Sequence, residues 1–212
     1  MVKQNVILIG SGGHAKVVID IIELENKYKI YGILTNDNVK NFCGYKVLGN
    51  DEKLLELIKK GIKNVAIGIG GFRDNILREK IYNKVFSLNF NIINAIHPSA
   101  IIARTAKLGN GVVIFAGVII NPDVKIFNNI IIATGSVIDH ETTIENHCLI
   151  SAGVTVGANV LIKEGSLCAL GAKIISQKII GKRVLIAAGS VVTKNISDNE
   201  VVFGIPAKVK GN

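Results

Sequence analysis

From Ile102 to Val192 an aliphatic residue or a cysteine stands at every sixth position without a break, a series that runs through Ile114, Ile126, Ile138, Ile150, Ile162, Ile174 and Ile186. Four positions after each of these anchors the residue is mostly small or β-branched, as at Val112, Val118, Ser136, Thr142, Cys148, Ser166, Ala172 and Ser190, with Lys178 the exception. A period of six suits neither an α-helix nor one flat alternating strand over so long a stretch. It suits a parallel β-helix, where each hexad is a short strand plus a corner and the stacked hexads bury a continuous aliphatic column.

With three hexads to a coil, residue i stacks on residue i+18. Gly117, Gly135, Gly153, Gly171 and Gly189 then fall in one column, each closing a corner of small residues. The second corner column carries Asn-Pro-Asp, Asp-His-Glu, Gly-Ala-Asn, Ile-Ser-Gln and Thr-Lys-Asn. The third carries Phe-Asn-Asn, Glu-Asn-His, Lys-Glu-Gly and Gly-Lys-Arg. Three corners of different chemistry, kept in phase, predict the coil of eighteen residues.

The rest of the chain has room for one more domain, and a 49% hydrophobic content supplies two cores. Residues 5–10 read as an apolar strand, followed by Gly10-Ser-Gly-Gly-His-Ala15 and an amphipathic helix bearing Val17, Val18, Ile21 and Ile22. Further elements are expected as a strand over 30–34, a helix over 51–60, a strand over 65–69, a helix over 74–85 and a short strand over 91–96. This alternation predicts a small Rossmann-like parallel α/β domain over 1–95, ahead of a β-helix domain over 96–212. The turn fits G-x-G-x-x-A, whose amides at a helix N-terminus can hold a phosphate. A mononucleotide or nucleotide sugar, a dinucleotide and a purely structural glycine turn all fit that pattern. Asp37 stands three residues past Leu34, near where an acid normally takes ribose hydroxyls. His14 is expected to donate to a phosphate or to cap the turn, and His97 to be a junction residue.

No window approaches the ~18 uninterrupted apolar residues of a membrane span, and the N-terminus has no signal-peptide pattern, so a cytoplasmic protein is expected. Cys43, Cys148 and Cys168 are odd in number and widely spaced, and the last two fall on inward hexad positions, as core residues of a reducing compartment would. The net charge of +9 comes without a basic block or an aromatic platform, since only 5% of residues are aromatic, and nucleic acid is not expected as a partner. Nucleotides and coenzymes satisfy the same charge.

Within the hexads the titratable group with a task is His140, in the corner Asp139-His-Glu141. An ordinary imidazole titrates near ~6.5, suited to a general base at neutral pH, and a flanking carboxylate fixes its tautomer and raises its basicity. Five glycines in phase at ~4.8 Å per coil make a smooth groove on the order of 20 Å long, expected beside the His140 column and long enough for a pantetheine arm. Ala158 is in phase with His140, so its amide is expected to meet an oxyanion formed near that imidazole. Small corners that merely pack against neighbouring subunits are the structural alternative. The histidines do not supply a three-histidine zinc set, and no metal is expected.

The chain resembles the hexapeptide-repeat acyltransferases, and within them the nucleotide-amino-sugar N-acetyltransferases of bacillosamine or perosamine type and the sialic acid O-acetyltransferases. The resemblance is carried by Gly10-Ser-Gly-Gly-His-Ala-Lys-Val-Val18, Arg78-Glu-Lys-Ile-Tyr82, Ile96-His-Pro-Ser-Ala100, Ser136-Val-Ile-Asp-His-Glu141 and Phe203-Gly-Ile-Pro-Ala-Lys208. It implies a left-handed β-helix, a homotrimer with acetyl-CoA between adjacent subunits, and a place in surface glycan biosynthesis. It casts His140 as the base, Glu141 as its partner, and Gly12, Gly13, His14, Asn36, Asp37, Gly70 and Arg73 as holding the nucleotide sugar. Gly153, Ala158, Leu170, Gly171 and Ala188 are assigned to the coenzyme path. Four places depart from the family pattern: Asn36-Asp37 stands where two acids are frequent after the second strand, Gly70 to Arg73 where a glycine-asparagine turn is, Ala133-Thr134 for the usual Asn-Thr, and Leu149 for a second histidine nine residues after the base. Direct transfer from acetyl-CoA to the amine of a nucleotide-linked sugar is the expected reaction. O-acetylation of a sialic acid and a catalytically silent nucleotide-binding trimer are the competing readings.

Overall fold

The computed structural model describes residues 3–72 and 74–210. They divide into two compact units, one of residues up to Gly70 together with Ile76–Pro98, the other of Gly71–Asn75 together with everything from Ser99 onward. Among the described residues no helix is long and apolar enough to cross a membrane.

The first unit is a six-stranded sheet. Its strands are β1 (Gln4–Ile9), β2 (Tyr28–Leu34), β3 (Asn41–Phe42), β4 (Tyr45–Gly49), β5 (Asn64–Ile67) and β6 (Asn91–Ile92), in the order β3-β4-β2-β1-β5-β6. All neighbours are parallel except the β3/β4 hairpin. The run Val6–Ile9 is buried throughout, as a central parallel strand covered on both faces must be. Helix α1 (Gly13–Glu25) lays Ala15, Val18, Ile21 and Ile22 on the sheet and ends at Asn26, whose left-handed φ of 57° lets its N–H reach the Ile22 carbonyl. Helices α2 (Leu54–Lys59) and α3 (Ile76–Ser87) contribute Leu54, Leu57, Tyr82 and Val85 to a core with Ile7, Ile9 and Leu34.

Three elements differ from the sequence expectation. The stretch 51–60 opens with a 3-10 turn at Asp51–Lys53 before α2 begins, with Asn50 as its cap. The stretch 91–96 is two short strands, Asn91–Ile92 and Ala95–Ile96. The β3/β4 hairpin was not legible, because its two-residue turn is Cys43-Gly44. Both residues have positive φ (48° and 82°), and such turns are normally signalled by Asn-Gly or Asp-Gly.

The second unit is a left-handed parallel β-helix. Each hexad contributes a two-residue strand whose second member is the anchor, such as Val113–Ile114, Ile119–Ile120 and Lys125–Ile126. Residue i pairs with i+18 on all three faces: Val113 with Ile131, Ile119 with Val137, Lys125 with Thr143. The anchors from Ile114 to Val192 are buried. The small polar residues four positions on are buried as well, and they bond to backbone rather than leave a polar atom unsatisfied: Ser136 Oγ, Thr142 Oγ1 and Ser166 Oγ donate to the carbonyls of Ser151, Gly157 and Gly181 at 2.7–2.9 Å. Cys148 Sγ does the same to Lys163 at 3.2 Å. Burial pushes the Cys148 and Cys168 thiols up, Cys168 to about 12, so both sulfurs are inert core groups.

The repeat shortens at its end. Leu185 pairs with Val201 and Ile180 bridges to Ile196, offsets of sixteen, and an antiparallel hairpin of Val201–Phe203 with Lys208–Val209 closes the last coil. A terminal unit of different geometry is what a stack of identical coils needs to stop.

Candidate active site

In the first unit the glycine turn joins β1 to α1, next to the point where the chain order reverses between β1 and β5, the place where open α/β sheets leave a crevice. The members of G-x-G-x-x-A divide by what they touch. Gly10 has φ of 114°, and a Cβ there would stand 2.9 Å from the Gly68 carbonyl oxygen. A Cβ on Gly68 would stand 2.9 Å from that of Ala15. Gly10 and Ala15 are therefore small so that β1, β5 and α1 can close on each other. Gly12 and Gly13 are not: a Cβ at either would meet nothing within 4 Å. They flank the start of α1 with open space in front, and the amides of the first helical turn are the natural donors to an anion placed there.

Asp37 is drawn to this turn. Its carboxylate accepts from the Ser11 hydroxyl, which also lies 2.6 Å from Thr35 Oγ1, while the Asp37 N–H donates to Thr35 Oγ1 at 3.1 Å. Asn36 and Asp37 line a cleft of about 760 Å³ beyond the end of β2, together with Lys40, Lys46 and Lys53. The three lysines and Ser11 went unnoticed in the sequence because they are scattered between 11 and 53 and acquire a common place only through the β2–β4 connection.

His14 is held without a charge. It sits under the loop at the end of β5, where a Cβ on Gly70 would stand 3.1 Å from its own Cβ. Burial, and secondarily the Arg78 guanidinium, pull its imidazole down to about 3. It is therefore neutral at physiological pH and brings no positive charge to a phosphate. The charge belongs to Arg78, which is fully buried and donates through Nη1 to the carbonyls of Ile67 and Ile69, 2.8 Å each. Burial lowers Arg78 to about 9, still charged at neutral pH. Gly70 thus comes together with His14, and Asp37 with the glycine turn. Arg73 lies outside the described residues.

In the second unit His140 and Glu141 occupy an exposed corner, with His140 Nδ1 3.1 Å from Glu141 Oε2. The Glu141 backbone has φ of 60°, which turns the chain at the corner, and its N–H donates to the Pro122 carbonyl one coil away. The contact assigns the Nδ1 proton to the glutamate side and leaves Nε2 as the acceptor facing outward. His147 is a different kind of histidine: it is buried, its Nδ1 lies 2.8 Å from Asn129 Nδ2, and its carbonyl accepts from Asn75 Nδ2 at 2.9 Å. Among the described residues no group of three His, Cys, Asp or Glu could hold a metal ion.

The glycine column is regular, with φ between 65° and 68° from Gly117 to Gly189. Positive φ alone does not explain it. Asp123, Glu141, Asn159 and Gln177 hold the same conformation on the second corner, and Asn129, His147 and Arg183 on the third. What sets the first corner apart is that no side chain stands there although there is room for one: a Cβ on Gly135, Gly171 or Gly189 would meet nothing within 4 Å. Leu170 and Ala188, its neighbours, are exposed.

Two expectations need correction. The groove does not lie beside His140. From Gly135 to His140 the chain runs along one whole face, roughly 15 Å of extended backbone, so the base and the glycine edge stand on different corners of one prism. The Ala158 amide does not face an oxyanion either, because it donates to Ser176 Oγ at 3.0 Å.

Comparison with known proteins agrees with the fold. Residues 5–85 match the family described as the PglD N-terminal domain. A curated UDP-N-acetylbacillosamine N-acetyltransferase from Bacillus subtilis (strain 168) is 33% identical over 117 residues, which cover 53% of this chain and 52% of that protein's length. A crystal structure of a histidine-to-alanine variant of GDP-perosamine N-acetyltransferase from Caulobacter crescentus, in complex with CoA and GDP-perosamine, superposes with a TM-score of 0.93 at 34% identity, over 98% of this chain and 97% of that one. The acetyltransferase domain of PglB from Neisseria gonorrhoeae FA1090 in complex with acetyl coenzyme A superposes with a TM-score of 0.89 at 26% identity, over 99% and 100% of the two chains.

Proposed function

Because the chain belongs to the hexapeptide-repeat acetyltransferases of the nucleotide-amino-sugar type, we propose that it transfers an acetyl group from acetyl-CoA to the amine of a nucleotide-linked amino sugar. The amine nitrogen attacks the thioester carbon as Nε2 of His140 takes a proton from it. A C–N bond forms and the C–S bond breaks. The coenzyme leaves as its thiolate, which receives that proton from the imidazolium. Glu141, on Nδ1, holds the ring and stabilises the imidazolium while it lasts.

The nucleotide rests on the first unit, its phosphates before Gly12 and Gly13, its ribose and base toward Asp37 and the lysine-lined cleft. Arg78 rather than His14 supplies the positive field beneath them. The coenzyme runs along the open glycine edge past Gly153, Leu170, Gly171 and Ala188. Since base and groove lie a face apart in one chain, the thioester on one glycine edge meets His140 of a second copy, and a closed homotrimer provides three such meetings.

The observation that carries this reading is the Asp139-His140-Glu141 corner, an exposed imidazole whose far nitrogen is held by a carboxylate. The test is to incubate the protein with acetyl-CoA and a panel of UDP-, GDP- and dTDP-linked amino sugars, with free sialic acid as a control acceptor. Thiol release on an amino-sugar nucleotide is the expected result. Release on sialic acid alone, or none on any acceptor, would overturn it.

A further inference from the structure

Asp139 and Asn121 have no role in the reaction so far. Asp139 Oδ1 accepts twice, from the backbone N–H of His140 at 2.8 Å and from Asn121 Nδ2 at 2.9 Å. Asn121 sits one coil away on the same corner, its own N–H fixed on the Ile138 carbonyl. The His140 carbonyl accepts from Asn159 N–H at 2.9 Å in the following coil. The peptide groups on both sides of the imidazole are thus pinned, one by a carboxylate and one by backbone.

The neighbouring coils show that the fold does not ask for this carboxylate. At the position equivalent to His140, the preceding coil has Pro122, with no N–H to cap, and the following coil has Ala158, capped by the neutral hydroxyl of Ser176. On either side of His140 along this edge, the corner does without a cap or uses an alcohol. Carboxylates do cap corners on the third edge, Glu145 on the Glu164 N–H at 3.1 Å and Asp198 on the Lys182 N–H at 2.8 Å; along the edge that carries the base the neighbours Pro122 and Ala158 have none, while the acid at His140 is kept in place by two hydrogen bonds.

We infer that Asn121 and Asp139 are positioning residues for His140: Asn121 orients the Asp139 carboxylate, which fixes the backbone under the imidazole and sets a second negative charge beside the one on Glu141, favouring the imidazolium formed in the reaction. This rests on the proposed acetyl transfer. It is supported by the Asp139 carboxyl lying below the usual carboxylate range, first through the His140 N–H and then through the Asn121 amide, so that it is ionised wherever His140 works. The other charged groups at this corner are Glu141, on the ring itself, and Asp123 one coil away. The coil on the other side presents Ala158 and Asn159, neither charged.

Two substitutions separate geometry from charge. Asp139→Asn keeps an acceptor oxygen for both donors and removes the charge; Asp139→Ala removes both. Hydrogen exchange of the His140 amide reads the cap without turnover, and the pH profile of kcat reads the base. Asp139→Ala is expected to lose the amide protection and to lower kcat roughly tenfold or more, with the KM for acetyl-CoA within about twofold of wild type. Asp139→Asn is expected to keep the protection and most of the plateau kcat while moving the acid limb of the profile down by about half a unit. Asn121→Ala should weaken the protection and lower kcat by a smaller factor. An Asp139→Ala enzyme with wild-type kcat, or an Asp139→Asn profile that superposes on wild type, would overturn the inference. Loss of amide protection in Asp139→Ala alongside a wild type that acetylates no amino-sugar nucleotide would instead count against the acetyl-transfer reading, leaving the cap itself intact.

Discussion

At the scale of single residues, the two histidines named for function take opposite environments. His140 is open to solvent with one nitrogen held, as a proton acceptor must be, and His140→Ala should lower kcat by ~10²- to 10⁴-fold while acetyl-CoA still binds, as calorimetry would show. His14 is closed in and held neutral, and its consequence is for stability. Its pKa is lower in the folded chain, about 3, than the ordinary 6.5, so between those values the unfolded chain binds a proton that the folded one refuses. The stability due to a neutral His14 is whole above about 6.5 and falls with pH, by up to ~1.4 kcal/mol per unit, until the folded pKa is reached. Urea midpoints taken near neutrality and near pH ~5 should separate in the wild type and draw together in His14→Gln. Equal separations would place the acid sensitivity elsewhere. The sequence showed the motif around His14 but not this role, because its burial is made by the fold, and Arg78, the secondary cause, lies sixty-four positions away.

At the scale of elements, the hexads were legible because the i+18 spacing repeats the same demand at every coil: an anchor to bury, a small residue beside it, a left-handed corner after it. The hairpin at Cys43-Gly44 was hidden for the converse reason, being a single turn with an uncharacteristic residue and no repeat to expose it. The glycine column was legible as a column one corner away from Asp139-His-Glu141, yet which edge of the prism faces the reacting atoms was not, because phase along the chain says nothing of it. The column also offers a test that strain does not confuse. Asparagine tolerates positive φ far better than a β-branched residue. Gly171→Asn should therefore melt close to wild type, whereas Gly171→Val should melt lower. Both should raise the KM for acetyl-CoA about tenfold, a loss of ~1.4 kcal/mol. A well-folded Gly171→Asn enzyme with unchanged KM would show that the coenzyme takes another path.

At the scale of the whole molecule, much of the apolar side of the coils is already covered within the single chain. Val113 and Ile131, which alternation points outward, are each 2% exposed within the single chain. Ile101 at 65% remains, with half-buried Ile119 and Val137 in line along the same face, a stripe that turns polar at Thr155 and Lys173. A trimer that covers this stripe should lose it when a charge is placed there: Ile119→Asp should sediment as a monomer and lose activity together with assembly, and a monomer of full activity would defeat the shared-site reading. The offsets of eighteen that give way to sixteen only at the final coil have a bearing on descent. Because every coil is the same step, this half of the molecule can lengthen or shorten by whole coils without turning any corner to face a different way, whereas the loss or gain of one hexad would carry the Asp-His-Glu triplet onto the wrong edge. Among relatives, therefore, the tolerated changes in length between His140 and the closing hairpin should come in multiples of one coil, so that the chain works as a ruler with the coil as its graduation.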